Sequence, residues 1–77
     1  MQWNRSPTIR YYTERHDANG RFEILDRVDD EAEGRDAIAF YARSNPDDTF
    51  VLMCHEVHET LVAWTRKGEM HDGPDLG

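Results

Sequence analysis

Residues 8–28 read Thr-Ile-Arg-Tyr-Tyr-Thr-Glu-Arg-His-Asp-Ala-Asn-Gly-Arg-Phe-Glu-Ile-Leu-Asp-Arg-Val, and the rest of the fold follows from how this stretch turns back on itself. Thr8 to Thr13 and Phe22 to Val28 are rich in β-branched and aromatic residues, which suit a pleated, half-buried surface. Between them lies Asp17-Ala18-Asn19-Gly20. Asn-Gly supplies the positive φ angles that a two-residue type I′ hairpin turn requires. Such a turn pairs Asp17 with Phe22, Arg15 with Ile24 and Tyr11 with Val28, and it gathers Ile9, Tyr11, Phe22, Ile24 and Val28 on one face. A three-residue loop, Ala18-Asn19-Gly20, would separate Tyr11 from Phe22 and Ile24, because a one-residue slip flips every side chain. The two-residue turn keeps the apolar set together and is the expected one.

Downstream, Ala37, Ile38, Tyr41 and Ala42 recur at helical spacing and form an apolar stripe. Asn45-Pro46 ends that helix, since the residue before a proline avoids the α region. Two starts fit: Asp29 or Asp30 capping a long helix, or Glu33-Gly34 opening a short one. Phe50 to Val57 reads as a third strand and Leu61 to Arg66 as a fourth, joined at His58-Glu59. That hairpin places Val51, Met53, His55, Val57, Val62 and Trp64 on one face. The order is ββαββ, which predicts a single α+β domain over residues 1–68: an antiparallel sheet with one helix packed on one face. Residues 69–77 are polar and turn-rich and read as a flexible tail.

A chain of 77 residues is near the size at which a single core is only just sufficient. Its single cysteine, Cys54, makes no internal disulfide, which argues against a bridge-stapled secreted scaffold. Met1 to Pro7 lacks the apolar segment of a secretory signal, and the apolar run Phe50 to Cys54 is too short to span a bilayer. The expectation is a soluble, cytoplasmic protein.

Charge divides the chain. Met1 to Leu25 holds four arginines against three acids, whereas Asp26 to Gly77 holds five basic residues against thirteen acids. The formal net charge is −7. Such a surface is repelled by phosphate backbones and anionic lipid, so neither nucleic acid nor membrane is the expected direct partner. Asp26, Asp29, Asp30, Glu31, Glu33 and Asp36 crowd the helix start, and Asp47 and Asp48 lie just past its end. Acids in a first helical turn complement the macrodipole by roughly 0.3–1 kcal/mol each, which accounts for two or three of them. Like charges this close repel, by a few tenths of a kcal/mol per i,i+4 pair. The eight acids are therefore the candidate partner-binding set, and a basic protein surface is the matching partner.

Three other sets were weighed. His55-Glu56-Val57-His58-Glu59 echoes a zinc signature, but its histidines are three apart in a strand and its turn, not four apart on a helix. Cys54 and His55 point to opposite faces of a strand, which separates a thiol from its natural base. Arg10, Tyr11, Tyr12, Arg15 and Arg21 interleave arginine with stacking aromatics, but Tyr11 faces the core and only half the pattern remains. No Gly-rich phosphate loop is present, and no cofactor is expected.

In size, acidity and element order the chain resembles the small phage-encoded inhibitors of CRISPR effectors, the anti-CRISPR proteins. They share no common motif, so the resemblance carries no residue across. It implies a Cas protein or crRNA-guided complex as partner, in the cytoplasm of a bacterial host. The implied effect is blocked DNA binding or blocked nuclease recruitment. The expected function is thus a non-enzymatic, acidic inhibitor, monomeric or homodimeric, that fills a basic nucleic-acid-handling surface. An antitoxin-like module on a basic enzyme is the alternative from regulation, and a small metal or thiol protein using Cys54, His55 and His58 is the one from chemistry.

Overall fold

Five strands and one helix make up residues 10–55 and 58–73, which are those the computed structural model describes. β1 (Tyr11–His16) and β2 (Phe22–Val28) form a hairpin, and α1 (Glu31–Ser44) crosses over. β3 (Thr49–His55), β4 (Glu59–Arg66) and β5 (Glu69–Asp72) then follow as a meander. The sheet order is β2-β1-β3-β4-β5, with every neighbouring pair antiparallel. The chain is α+β, an antiparallel sheet with one helix on one face, as its element order predicts. The sheet has one strand more than the ββαββ reading.

That strand corrects the boundary at residue 68. Lys67 and Gly68 both take positive φ, 52° and 83°, the requirement of a two-residue hairpin turn. Glu69 to Asp72 accordingly pairs back onto β4, with Met70 opposite Thr65 and Asp72 opposite Ala63. Met70 packs against the core, and the Arg35 guanidinium reaches its sulfur at 3.8 Å and Asp72 at 2.8 Å. Residues 74–77 of the expected tail lie outside the described residues.

The first hairpin closes with the three-residue loop. Asp17 donates its N–H to the Arg21 carbonyl (3.0 Å), and Gly20 donates to the Asp17 carbonyl (3.1 Å). The Asp17 carboxylate accepts from the N–H groups of Asn19 (2.9 Å) and Arg21 (3.0 Å). Those side-chain bonds stabilise the wider loop, with Gly20 alone in the left-handed region at φ 83°. Phe22 therefore pairs with His16 and Ile24 with Glu14, one position away from the expected register. The pairing shifts again between Thr13 and Glu14, where Leu25 is the extra residue, so Tyr11 still faces Val28. Tyr11 and Leu25 pack on the core beneath the helix, whereas Phe22 and Ile24 lie on the opposite face, 66% and 43% exposed. Ile9 lies outside the described residues.

A second bulge, between Leu52 and Met53, acts the same way in β4. Val51 pairs with Trp64 and Met53 with Leu61, leaving Val62 as the extra residue. Val62 packs against the helix-side core and so leaves the face expected for it. The strands join beyond His55↔Glu59 through a loop of three residues rather than at His58-Glu59, and Val57 in that loop lies outside the described residues.

The core is Ile38 and Ala42 from α1 against Phe50 and Leu52 of β3 and Ala63 of β4. Fully burying each large member contributes roughly 1.5–3 kcal/mol. Asp30 is the helix cap, its carboxylate accepting from the Ala32 N–H, so the long helix is the one formed. Of the expected stripe Ile38 and Ala42 are buried, Ala37 and Tyr41 are half-buried, and Gly34 completes the buried line. Gly34 is where helix and sheet come closest: a Cβ there would lie 2.4 Å from Leu52 Cδ1. Alanine at this position gains about 1 kcal/mol of helix propensity but overpacks a fully buried leucine, which costs about 1–3 kcal/mol. G34A is expected to be net destabilising by about 1 kcal/mol, a melting shift of about 4–8 °C for a domain this small. In thermal denaturation, L52A should cost less in the G34A background than in the wild type.

Candidate partner-binding surface

The eight acids separate into two groups of four. Asp26 is half-buried beneath the helix, where it accepts a short hydrogen bond from the Tyr41 hydroxyl and a longer one (3.5 Å) from Thr13. Its own N–H donates to the Thr13 hydroxyl at 3.1 Å. Asp30 caps the helix. Glu31 accepts from Arg35 at 2.9 Å, one turn along, and the same guanidinium goes on to Asp72. Asp48, with only 12% of its side chain exposed, holds Arg15 through two guanidinium nitrogens at 2.7 and 2.8 Å. These four carboxylates hold the fold together: Asp26 and Asp48 clamp the sheet to neighbouring segments, and Glu31 ties the helix to β5.

The other four, Asp29, Glu33, Asp36 and Asp47, are exposed, and none has a hydrogen bond or ion pair with another described residue. Glu33 and Asp36 lie on the outer side of α1, in line with Phe40 and Arg43 at spacings of three, four and three. Phe40 is 58% exposed and meets Tyr41 edge-on, at 5.9 Å between ring centroids. Asp29 continues this stripe beyond the cap. The helix dipole favours Glu33 but does nothing for Asp36 in mid-helix, and it disfavours Asp47 past the C-terminus. The outer stripe is thus acid, acid, aromatic, base, with two of the surface acids receiving no benefit from the fold.

Phe40 was missing from the sequence-derived set. Its signal was available, because it falls seven residues from Glu33 and four from Asp36, outside the Gly34–Ile38–Ala42 line.

The other sets are not brought together. Cys54 is half-buried on the helix side of β3 opposite Tyr11, while His55 is exposed on the other face, its Nδ1 4.0 Å from Glu59. Among the described residues no three His, Cys, Asp or Glu side chains gather closely enough to hold a metal ion. In the arginine–tyrosine set, Arg15 is held by Asp48, Arg10 is engaged by another group, and Tyr12 donates a short hydrogen bond to Glu59. Burial and that bond hold the Tyr12 phenol well above its ordinary value. No helix of the described residues is long and apolar enough to cross a membrane.

Tyr41 offers a test of the fold-bound acids. Its bond to Asp26, and secondarily its burial, raise its phenol above the ordinary value, because only the neutral form donates. The folded state therefore keeps a proton that the unfolded chain loses near pH ~10. That stabilisation is complete below this pH and is lost as pH rises toward the higher folded value. Y41F should lose about 1–2 kcal/mol at pH 7 in urea denaturation, and its stability should fall less steeply than the wild type's above pH ~10. No family model, no curated protein and no solved structure matches this chain.

Proposed function

We propose that the chain is a small acidic protein-binding inhibitor, without catalytic activity, that fills a basic nucleic-acid-handling surface of its target. The observation that carries this reading is the division of the acids: four are consumed by the fold, and Asp29, Glu33, Asp36 and Asp47 stand exposed with no described partner. Glu33 and Asp36 are separated by about 4.5 Å of helix rise, near the spacing of about 3.4 Å per phosphate along one nucleic-acid strand. Arginines that grip phosphates can grip carboxylates at this spacing, with charge-assisted hydrogen bonds.

Phe40 adds what charge alone lacks. An exposed aromatic within a charged stripe can seat in an apolar pocket of the partner and supply the affinity, while the acids supply speed and orientation of approach. Mechanistically the inhibitor competes: the groove is occupied, and nucleic acid is excluded. A Cas protein or crRNA-guided complex in the bacterial cytoplasm is the target that the resemblance to anti-CRISPR proteins brings forward.

The test is affinity capture from bacterial lysate at low and high salt, read by mass spectrometry, with two variants alongside. Asp30 and Glu31 are left intact because the fold uses them, so the charge variant is D29K/E33K/D36K. A basic nucleic-acid-binding protein should be retained at low salt and released at high salt. It should bind the charge variant at least tenfold more weakly, and F40A about thirtyfold more weakly, equivalent to about 2 kcal/mol. Unchanged binding by a folded charge variant would sink the reading.

A further inference from the structure

The face of the sheet turned away from the helix carries a second surface, unlike the first. Phe22 and Ile24 stand there side by side on β2, 66% and 43% exposed, as neighbours two residues apart. They border a shallow depression completed by Tyr12, Glu14, Arg27 and Glu59. Two large apolar side chains held in the open by a hairpin loop and a bulge are not explained by the core, which they do not touch.

The charges around them are mixed. Glu14 is paired with His16 at 2.9 Å, and the His16 ring stacks on Phe22 with centroids 5.7 Å apart. Glu59 accepts from Tyr12. Arg27 is exposed and has no ion pair with another described residue. Along β2 the surface therefore reads aromatic at Phe22, aliphatic at Ile24 and cationic at Arg27, with a carboxylate, Glu14, directly opposite Ile24. A surface of that order complements its own inverted copy. A two-fold axis beside Ile24 lays Phe22 of one copy against Ile24 of the other, and brings each Arg27 over the other copy's Glu14–His16 pair and the face of its Phe22.

We infer that this face is a homodimer interface, two chains packing sheet to sheet through Phe22 and Ile24 with Arg27 and Glu14 paired across the axis. A face is indicated rather than an edge. The Leu25 bulge interrupts the outer edge of β2, and β5 at the other edge is short and carries Glu69 and Asp72. Net charge does not forbid the contact. The exposed helix acids lie on the outer sides of both sheets, which pack about 10 Å apart, and the Debye length at physiological salt is about 8 Å. The patch is small compared with the roughly 800 Å² per partner of a standard interface, so the dimer belongs to the weak, micromolar class. The helix stripes then face outward, and one dimer presents two of them.

Sedimentation equilibrium of the full chain from about 10 μM to 1 mM at physiological salt tests this. The wild type should rise with concentration from its monomer mass of 9.0 kDa toward twice that value. I24E should weaken the dimer at least tenfold, with a circular dichroism spectrum like the wild type's. R27E and E14R should each be monomeric alone yet form a heterodimer when mixed, because the mixture restores both charge pairs. A wild type monomeric at 1 mM would overturn the inference and assign the face to another occupant. A folded I24E that dimerises like the wild type, or no recovery on mixing folded R27E and E14R, would also overturn it.

Discussion

Helix α1 lies close on the sheet because Gly34 presents no side chain to Leu52. The rest of the helix is placed by that contact. With its first turns drawn down at Gly34, Ile38 and Ala42 reach Phe50 and Ala63, and the core closes with one short aliphatic stripe. The same approach brings Arg35 over β5, where it holds Asp72 and Glu31 together. It also fixes which side of the helix looks outward, and so puts Glu33, Asp36 and Phe40 in solvent. A glycine that weakens the helix locally is thus what lets a small core form.

The acidic run combines two functions that its composition does not distinguish. Carboxylates such as Asp26 and Asp48 are anchored by a phenol and a guanidinium and belong to the packing. Others merely decorate the helix. Exposed ion pairs contribute little, a median of about 0–1 kcal/mol, so the decorating acids gain nothing by remaining unpaired near one another. Their value lies in an encounter with something of opposite charge, where long-range attraction raises the rate of association.

The fold class and the order of elements were legible in the sequence, because strand-forming runs, the helical stripe and Asn45-Pro46 are strong local signals. Register was not. Asn19-Gly20 suits a two-residue turn, but the Asp17 side chain offers hydrogen bonds that favour a three-residue loop, and a bulge at Leu25 then restores Tyr11 to its expected partner. Hydrophobic pattern could not reveal this, since it presumes that Phe22 and Ile24 are buried. β5 escaped notice because it is polar and its turn is Lys-Gly. The eight acids were found, but their division depends on Tyr41, Arg15 and Arg35, which come close only through tertiary structure.

The sheet order places β1 in the interior, between β2 and β3. Every other strand pairing is a hairpin between sequence neighbours, whereas Tyr11 meets Cys54 across nearly the whole domain. The molecule is thus two locally closed pieces, a hairpin and a three-strand meander, joined along a single seam. Arg15–Asp48 and Tyr12–Glu59 both cross that seam, so the contacts slowest to form in a folding chain are also the ones reinforced by side-chain clasps.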